Sequence, residues 1–499
     1  MSQVKTIIKD SAVYTASTIL AQFIGIFTSI AMRRFLTPEM MGVWTTLQVI
    51  LNYALFAELG VFTAIEVKIP YLRGKNLVSE IQNMRNTALT FAVMISLAIA
   101  LVLFSASFIL IGRMPDYVIL GIRVVALIIV ATFFYNLYIV MLRADKSFFL
   151  LSNAIVANSI LMLFFVSVLT YFYKLKGLYF ATFLATLTSW VFIKFRTKYK
   201  LKLYFNTKLA RSLSGIGLPI LLAGITYTIL LSVDKIMIIK MIGPKELGFY
   251  SIAILALTYA HNFPKLLGTV LLPSMQEEFG RNDSKERVLQ YVKQPMIIIA
   301  YVFPAVLAIA YFGIPILVHY VLPKYVMGIG SMKMLLCGCF FISLVPLTHN
   351  FIITINKQVM LIPVTLAAVL YGIAINYGVI KMGYGISGVA LGTSFTYFLY
   401  FAALFFYVMR YCENLREVCK SFLRICAPFV YFLITMLLLE HFVKINSIVK
   451  RTIVQALIFY IVYAPVLWYI NNRTKVIYRL LKGIAAVSPK KEVFLNEAL

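Results

Sequence analysis

The chain has 499 residues, 62% of them hydrophobic and only 13% charged, with a mean hydropathy of +0.91. That much apolar surface excludes a soluble globular protein and defines a polytopic helical membrane protein. The formal net charge of +28 suggests nucleic acid at first sight. The positives sit mainly in short loops between apolar runs, where they read as topology signals and contacts to anionic lipid headgroups, so nucleic acid is not an expected partner.

In chain order, Lys5 and Lys9 precede an apolar run too long and too polar-striped for a cleaved signal, which predicts a retained first helix. Stretches able to cross the hydrocarbon follow near 11–32, 42–62, 87–111, 117–141, 149–172, 178–195, 213–240, 247–271, 296–318, 329–354, 359–380, 385–408, 425–442 and 450–470. The longest connections, about 196–212 and 273–295, leave no room for a soluble domain. With the N-terminus inside, the inner segments hold 30 Lys and Arg and the outer ones 13, while Arg123, Lys235 and Lys265 lie within spans. This bias places both termini in the cytoplasm. The densest run, Lys194, Arg196, Lys198, Lys200, Lys202, Lys208 and Arg211, contains no acid.

The chain repeats itself. Arg34, Pro38, Gly42 and Trp44 after the first span coincide with Lys240, Pro244, Gly248 and Tyr250 after the seventh, at an offset of 206. Fainter echoes pair 143–147 with 354–358, and the loop before Gly177 with that before Gly385. A favourable tight turn alone would explain one such match; three in order predict two six-helix halves of the same orientation. The expected organisation is an N-terminal lobe with a basic linker over 1–210, a C-terminal lobe over 211–410, two extra helices over 411–470 and a basic cytoplasmic tail over 471–499. Parallel repeats of this kind place the substrate site between the halves.

Polar and small residues stripe two of the spans. In the eighth, Ser251, Thr258, His261, Lys265 and Gly268 recur at spacings of three, four or seven, which is one helix face. In the first, Ser11, Thr15, Thr18, Gln22, Gly25, Ser29 and Arg33 do the same. Polar groups find no partner in hydrocarbon, so both stripes are expected to face a bundle interior or a watery cavity. A charge such as Lys265 costs about 2.5–3.5 kcal/mol at mid-span and reads as functional, against a snorkelling alternative. Arg123 and Lys235 fall in the outer halves of spans four and seven, where they would receive an anion after a conformational switch; Arg123 is also placed to anchor the interface. Asp234, about 100° around the helix from Lys235, reads as a bundle partner or a carrier of a coupling ion. Glu58, without a neighbouring opposite charge, titrates, pairs with a lobe-closing cation or stays hydrated. His261 assists Lys265 or is a satisfied core histidine. Cys337, Cys339, Cys412, Cys419 and Cys426 lack the spacing of a metal site, and neither a metal, a disulfide nor a cofactor is expected.

The two six-helix halves, the Pro38/Gly42 and Pro244/Gly248 turns and the Ser232-Val233-Asp234-Lys235 segment resemble the Wzx-type polysaccharide flippases of the multidrug/oligosaccharidyl-lipid/polysaccharide exporter superfamily, over essentially the whole chain. The resemblance implies an all-α, V-shaped, MATE-like bundle in the bacterial inner membrane. It implies alternating-access transfer of an undecaprenyl-diphosphate-linked oligosaccharide, such as an O-antigen, capsule or exopolysaccharide unit, to the periplasmic leaflet. A polysaccharide polymerase and a chain-length regulator are the implied protein partners. Lys265, Arg123, Lys235, Arg33 and His261 are then the candidate substrate residues, and Asp234 and Glu58 the candidates for ion coupling or lobe pairing. A cation-coupled drug antiporter of the same superfamily is the alternative, disfavoured by the excess of cavity cations. An enzyme would need a clustered acid/base pair or a large extramembrane loop, and a scaffold would leave the polar stripes unexplained.

Overall fold

The computed structural model describes residues 2–282 and 284–474, and all regular elements among them are helices. The expected tail lies outside the described residues from 475 onward. In chain order the helices are α1 (Ser2–Phe35), α2 (Pro38–Ala54), α3 (Val61–Gly74), α4 (Val78–Ile109), α5 (Asp116–Ala144), α6 (Phe148–Arg196), α7 (Thr207–Leu230) and α8 (Val233–Met241). They continue with α9 (Pro244–Asn282), α10 (Lys285–Val321), α11 (Ile329–Thr354), α12 (Leu361–Lys381), α13 (Gly385–Met409), α14 (Leu415–Phe442) and α15 (Ile448–Thr474). The α1/α2 and α8/α9 connections share one end of the bundle, here the turn end; the extended segment 197–206 lies at the other, the linker end.

Eleven described helices are long and apolar enough to cross a membrane, or twelve if the bent pair α7/α8 counts as one span. The sequence leads one to expect fourteen, and the difference has physical causes. Helix α6 reads as one element of 49 residues, yet Lys174 inside it takes φ +51° and ψ −128°. Ser189 hydrogen-bonds the side chain of Asn158 at 2.9 Å, so its two halves lie side by side as a hairpin. Helix α9 does not reach the apolar threshold; it carries the polar stripe and ends in Glu277, Glu278 and Arg281.

Two expected spans are broken. After α2 a single 3-10 turn, Leu55–Glu58, is followed by Leu59 and Gly60 at φ +49° and +77°. Glu58 accepts a 2.7 Å hydrogen bond from the Phe62 amide and so caps α3, where a negative charge also opposes the helix dipole. Gly60 has no substitute there: its φ is left-handed, and a Cβ would overlap the Gly217 backbone of α7. Helices α7 and α8 meet at a 46° bend. Lys235 donates to the Leu231 carbonyl at this break at 2.9 Å, satisfying an acceptor that hydrocarbon could not.

The helices form two lobes. Helix α1 packs on α6, and α5 lies between α4 and α6; in the second lobe α11 is sandwiched by α9 and α13, with α12 behind. Helices α14 and α15 rest on α10. Phe429 stacks on Phe340 with centroids 4.8 Å apart. Tyr460 and Tyr463 donate to the Ala305 and Tyr301 carbonyls at 2.9 and 3.0 Å.

A polar seam between the lobes

The repeated Pro-x-x-x-Gly segments meet each other across the lobes. A Cβ on Gly42 would overlap the Pro244 carbonyl, and a Cβ on Gly248 the Pro38 carbonyl. Two helices that start together at the turn end thus cross at backbone contact, each offering its glycine to the other's proline carbonyl. Thr37 caps α2 and Pro38 opens it, which aims the chain into this crossing.

Beside the crossing, α1 closes onto the second lobe. Arg33 is 5% exposed and donates from Nε to Ser251 Oγ at 3.2 Å, from Nη2 to the Ser251 carbonyl at 2.8 Å and from Nη1 to the Ser29 carbonyl at 2.9 Å. Ser29 and Tyr259 share a hydroxyl–hydroxyl bond of 3.0 Å. Tyr325 donates to the Leu36 carbonyl and Arg34 to the Val321 carbonyl, at 3.3 and 2.9 Å. The turn end is shut.

Toward the linker end the same two faces are more exposed. Ser251 is buried, whereas Thr258 and Lys265, one and two heptads on, are exposed. On α1, Thr18 and Gln22 are half-buried. Thr18 and Thr258 donate to carbonyls one turn back, at 2.8 and 2.7 Å, so these hydroxyls are satisfied within their own helices.

The α9 stripe divides into two columns. His261 Nδ1 lies 3.3 Å from Ser343 Oγ, and the Asn350 amide donates to the Gly268 carbonyl at 2.7 Å, so His261 and Gly268 face α11 inside the second lobe. Ser251, Thr258 and Lys265 form the column on the seam side. A step of three or four residues leaves 40–60° between such columns, enough to send them to different neighbours.

The remaining candidates lie off the seam. Arg123 donates to Ser107 at 2.9 Å and stacks on Phe108 at 4.9 Å, both on α4 within the first lobe. Lys235 and Glu58 serve the two helix breaks. Asp234 is 1% exposed; it accepts from the Tyr250 hydroxyl at 2.7 Å and from the Lys235 amide at 2.8 Å. On α13, Thr393 accepts from Asn376 at 3.3 Å, and the Asn376 carbonyl oxygen is buried without a partner. The acid on α8 is thus tied to α9, and the carboxamide on α12 to α13. Sequence reasoning did not single out Tyr250 as an acid's partner, nor Tyr259, Thr393 or Asn376; each partner lies on another helix, 16 positions away for Tyr250 and 230 for Tyr259, and the pattern of one helix carries no sign of it.

Two helical lobes meeting along such a seam are the fold of the MOP-superfamily transporters. A MATE family multidrug resistance transporter of that superfamily, inward-facing, superposes with a TM-score of 0.67 at 14% identity, covering 80% of this chain and 95% of that one. The lipid II flippase MurJ in an inward closed conformation gives 0.70 at 13% identity, covering 92% and 98%. A MOP superfamily transporter from Pyrococcus furiosus, noted for the reverse polarity of its binding pocket, gives 0.61 at 16%, covering 83% and 96%. Residues 31–324 match the family described as polysaccharide biosynthesis protein, and the chain belongs to that family. No curated protein sequence matches it.

Proposed function

We propose that this protein flips an undecaprenyl-diphosphate-linked oligosaccharide, the repeat unit of an O-antigen, capsule or exopolysaccharide, from the cytoplasmic to the periplasmic leaflet of a bacterial inner membrane. The observation that carries the reading is the seam column Ser251–Thr258–Lys265, buried by Arg33 at one end and exposed at the other. A diphosphate needs a cation and hydroxyls, the glycan needs water, and the lipid tail needs a lateral gap. A seam between lobes is the place in this fold where the three can be combined. The 30-to-13 charge bias makes the linker end cytoplasmic and both termini cytoplasmic. Substrate enters with the turn end shut, Lys265 takes the diphosphate, and rocking of the lobes exchanges which end is closed. The buried Asp234–Tyr250 pair is the place for an exchangeable proton or cation that drives the cycle, because a buried charge is costly unless it is paired or neutralised.

The test is Lys265→Ala in a host deprived of its own copy. Surface polysaccharide should fall at least tenfold at unchanged protein level, with Lys265→Arg retaining part of it because the charge stays while the donor shape changes. Full export by Lys265→Ala removes this lysine from the mechanism. The alternative, a cation-coupled antiporter of small organic molecules, is favoured by the buried Asp234 carboxylate; it requires drug resistance that is lost with Asp234→Asn while polysaccharide export is unaffected.

A further inference from the structure

The segment joining the lobes has no regular structure, yet it is held in register along α4. Gln82 donates to the Lys200 carbonyl at 2.6 Å, Asn86 accepts from the Lys202 amide at 3.0 Å, and the Thr90 hydroxyl accepts from the Tyr204 amide at 2.9 Å and donates to its carbonyl at 3.1 Å. Four residues of helix rise about 6 Å and two residues of extended chain about 6.6 Å, so every second linker residue meets every fourth residue of α4. Tyr199 completes the attachment, with its hydroxyl 2.6 Å from Asp145 and its ring under Arg85. That bond and burial push the Tyr199 phenol above its ordinary range, burial most. Asp145 is also held by Arg73 and Arg85.

The alternation turns Tyr199 and Leu201 inward and leaves Lys198, Lys200 and Lys202 exposed. The ladder also fixes their depth. Thr90 stands at the edge of the apolar part of α4, Asn86 is about 6 Å further out and Gln82 about 12 Å. The interfacial layer of a leaflet is roughly 5–7 Å thick. Lys202 therefore stands at headgroup level and the Lys200 backbone about 6 Å beyond it. Leu203, Tyr204 and Phe205, 71%, 47% and 38% exposed, stand at the hydrocarbon boundary. No Asp or Glu occurs between Lys194 and Arg211.

We infer that this strap is a binding surface for anionic phospholipid headgroups, with Lys202 held at phosphate depth by the Gln82–Asn86–Thr90 ladder and Lys200 one step above it, its flexible side chain reaching back toward the same layer. A free loop of the same charge would sample many depths; the ladder presents a fixed row of ammonium groups above an apolar edge, which is the profile of a lipid with a charged head. The inference is independent of what the seam transports.

The experiment uses the full chain in phosphatidylcholine nanodiscs doped with spin-labelled phosphatidylglycerol. The expected result is preferential immobilisation of the anionic lipid, which K202Q lowers by about fivefold, which K200Q/K202Q lowers further, and which N86A/T90A lowers with the charge unchanged. Neutralising Lys444, Lys450 and Arg451 at the turn end serves as the control and should leave the preference intact. Lys200 and Lys202 are both exposed, so these variants should fold normally. Wild-type preference in any strap variant overturns the inference. So does equal competition by inorganic diphosphate, which would make the surface a general phosphate site.

Discussion

Arg33 sits buried between two lobes with three hydrogen bonds, two of them to the opposite lobe. A hydrogen bond to a charged group contributes about 1.5–3 kcal/mol, so the pair biases the turn end toward closure by tenfold or more. Arg33→Ala should therefore raise labelling of a cysteine placed at Ser29 by an impermeant maleimide about tenfold, with Arg33→Lys intermediate. Unchanged labelling would mean that the clasp does not depend on this side chain. Periodicity made Arg33 and Lys265 legible as members of polar faces, because a 100° step needs only one helix to be read. It left open which neighbour each face meets. His261 shares the stripe of Lys265 but bonds Ser343. Arg123 looks toward α4, and Glu58 and Lys235 attend to helix breaks. These assignments belong to the packing between helices, and no local pattern encodes them.

Among the elements, the repeated turn was legible in the sequence at an offset of 206, but its use was not. A Pro-x-x-x-Gly segment looks the same whether it merely starts a helix or crosses its own counterpart. The hairpin within α6 was anticipated because Lys174, Lys176 and Gly177 interrupt the apolar run. The 46° bend after Leu230 was hidden, since 213–240 is apolar on both sides of it and only Ser232, Asp234 and Lys235 mark the spot. The crossing itself is testable. Gly248→Ala puts a methyl where the Pro38 carbonyl lies, and overpacking of this kind costs about 1–3 kcal/mol. Transport should fall roughly tenfold, and protection of the Ser29 position should weaken. Gly215→Ala, with nothing near its added methyl, is the matched control and should be neutral. Equal activity of the two variants would separate the crossing from the working cycle.

For the whole molecule, the shut turn end and the exposed linker end define one state of a two-lobed machine. Cysteines at Ser29 and Tyr259, in a background lacking the five native cysteines, can be joined by a short thiol-cleavable bifunctional reagent. If the protein acts as proposed, the joined form should stop delivering lipid-linked sugar and recover when reductant releases the link; delivery at the full rate while joined would rule out lobe rocking. The crossing of Pro38/Gly42 with Pro244/Gly248 has a historical consequence as well. A patch that meets its own image is what a two-fold homodimer uses, and each half of this chain carries one complete patch. A single ancestral half could therefore have paired with a second copy of itself through the same contact. Joining the copies freed them to differ. The position matching Arg33 is Ile239, and the one matching Ser251 is Thr45, which hydrogen-bonds its own helix. The arginine clasp thus exists once rather than twice, an asymmetry that a dimer of identical subunits could not have acquired.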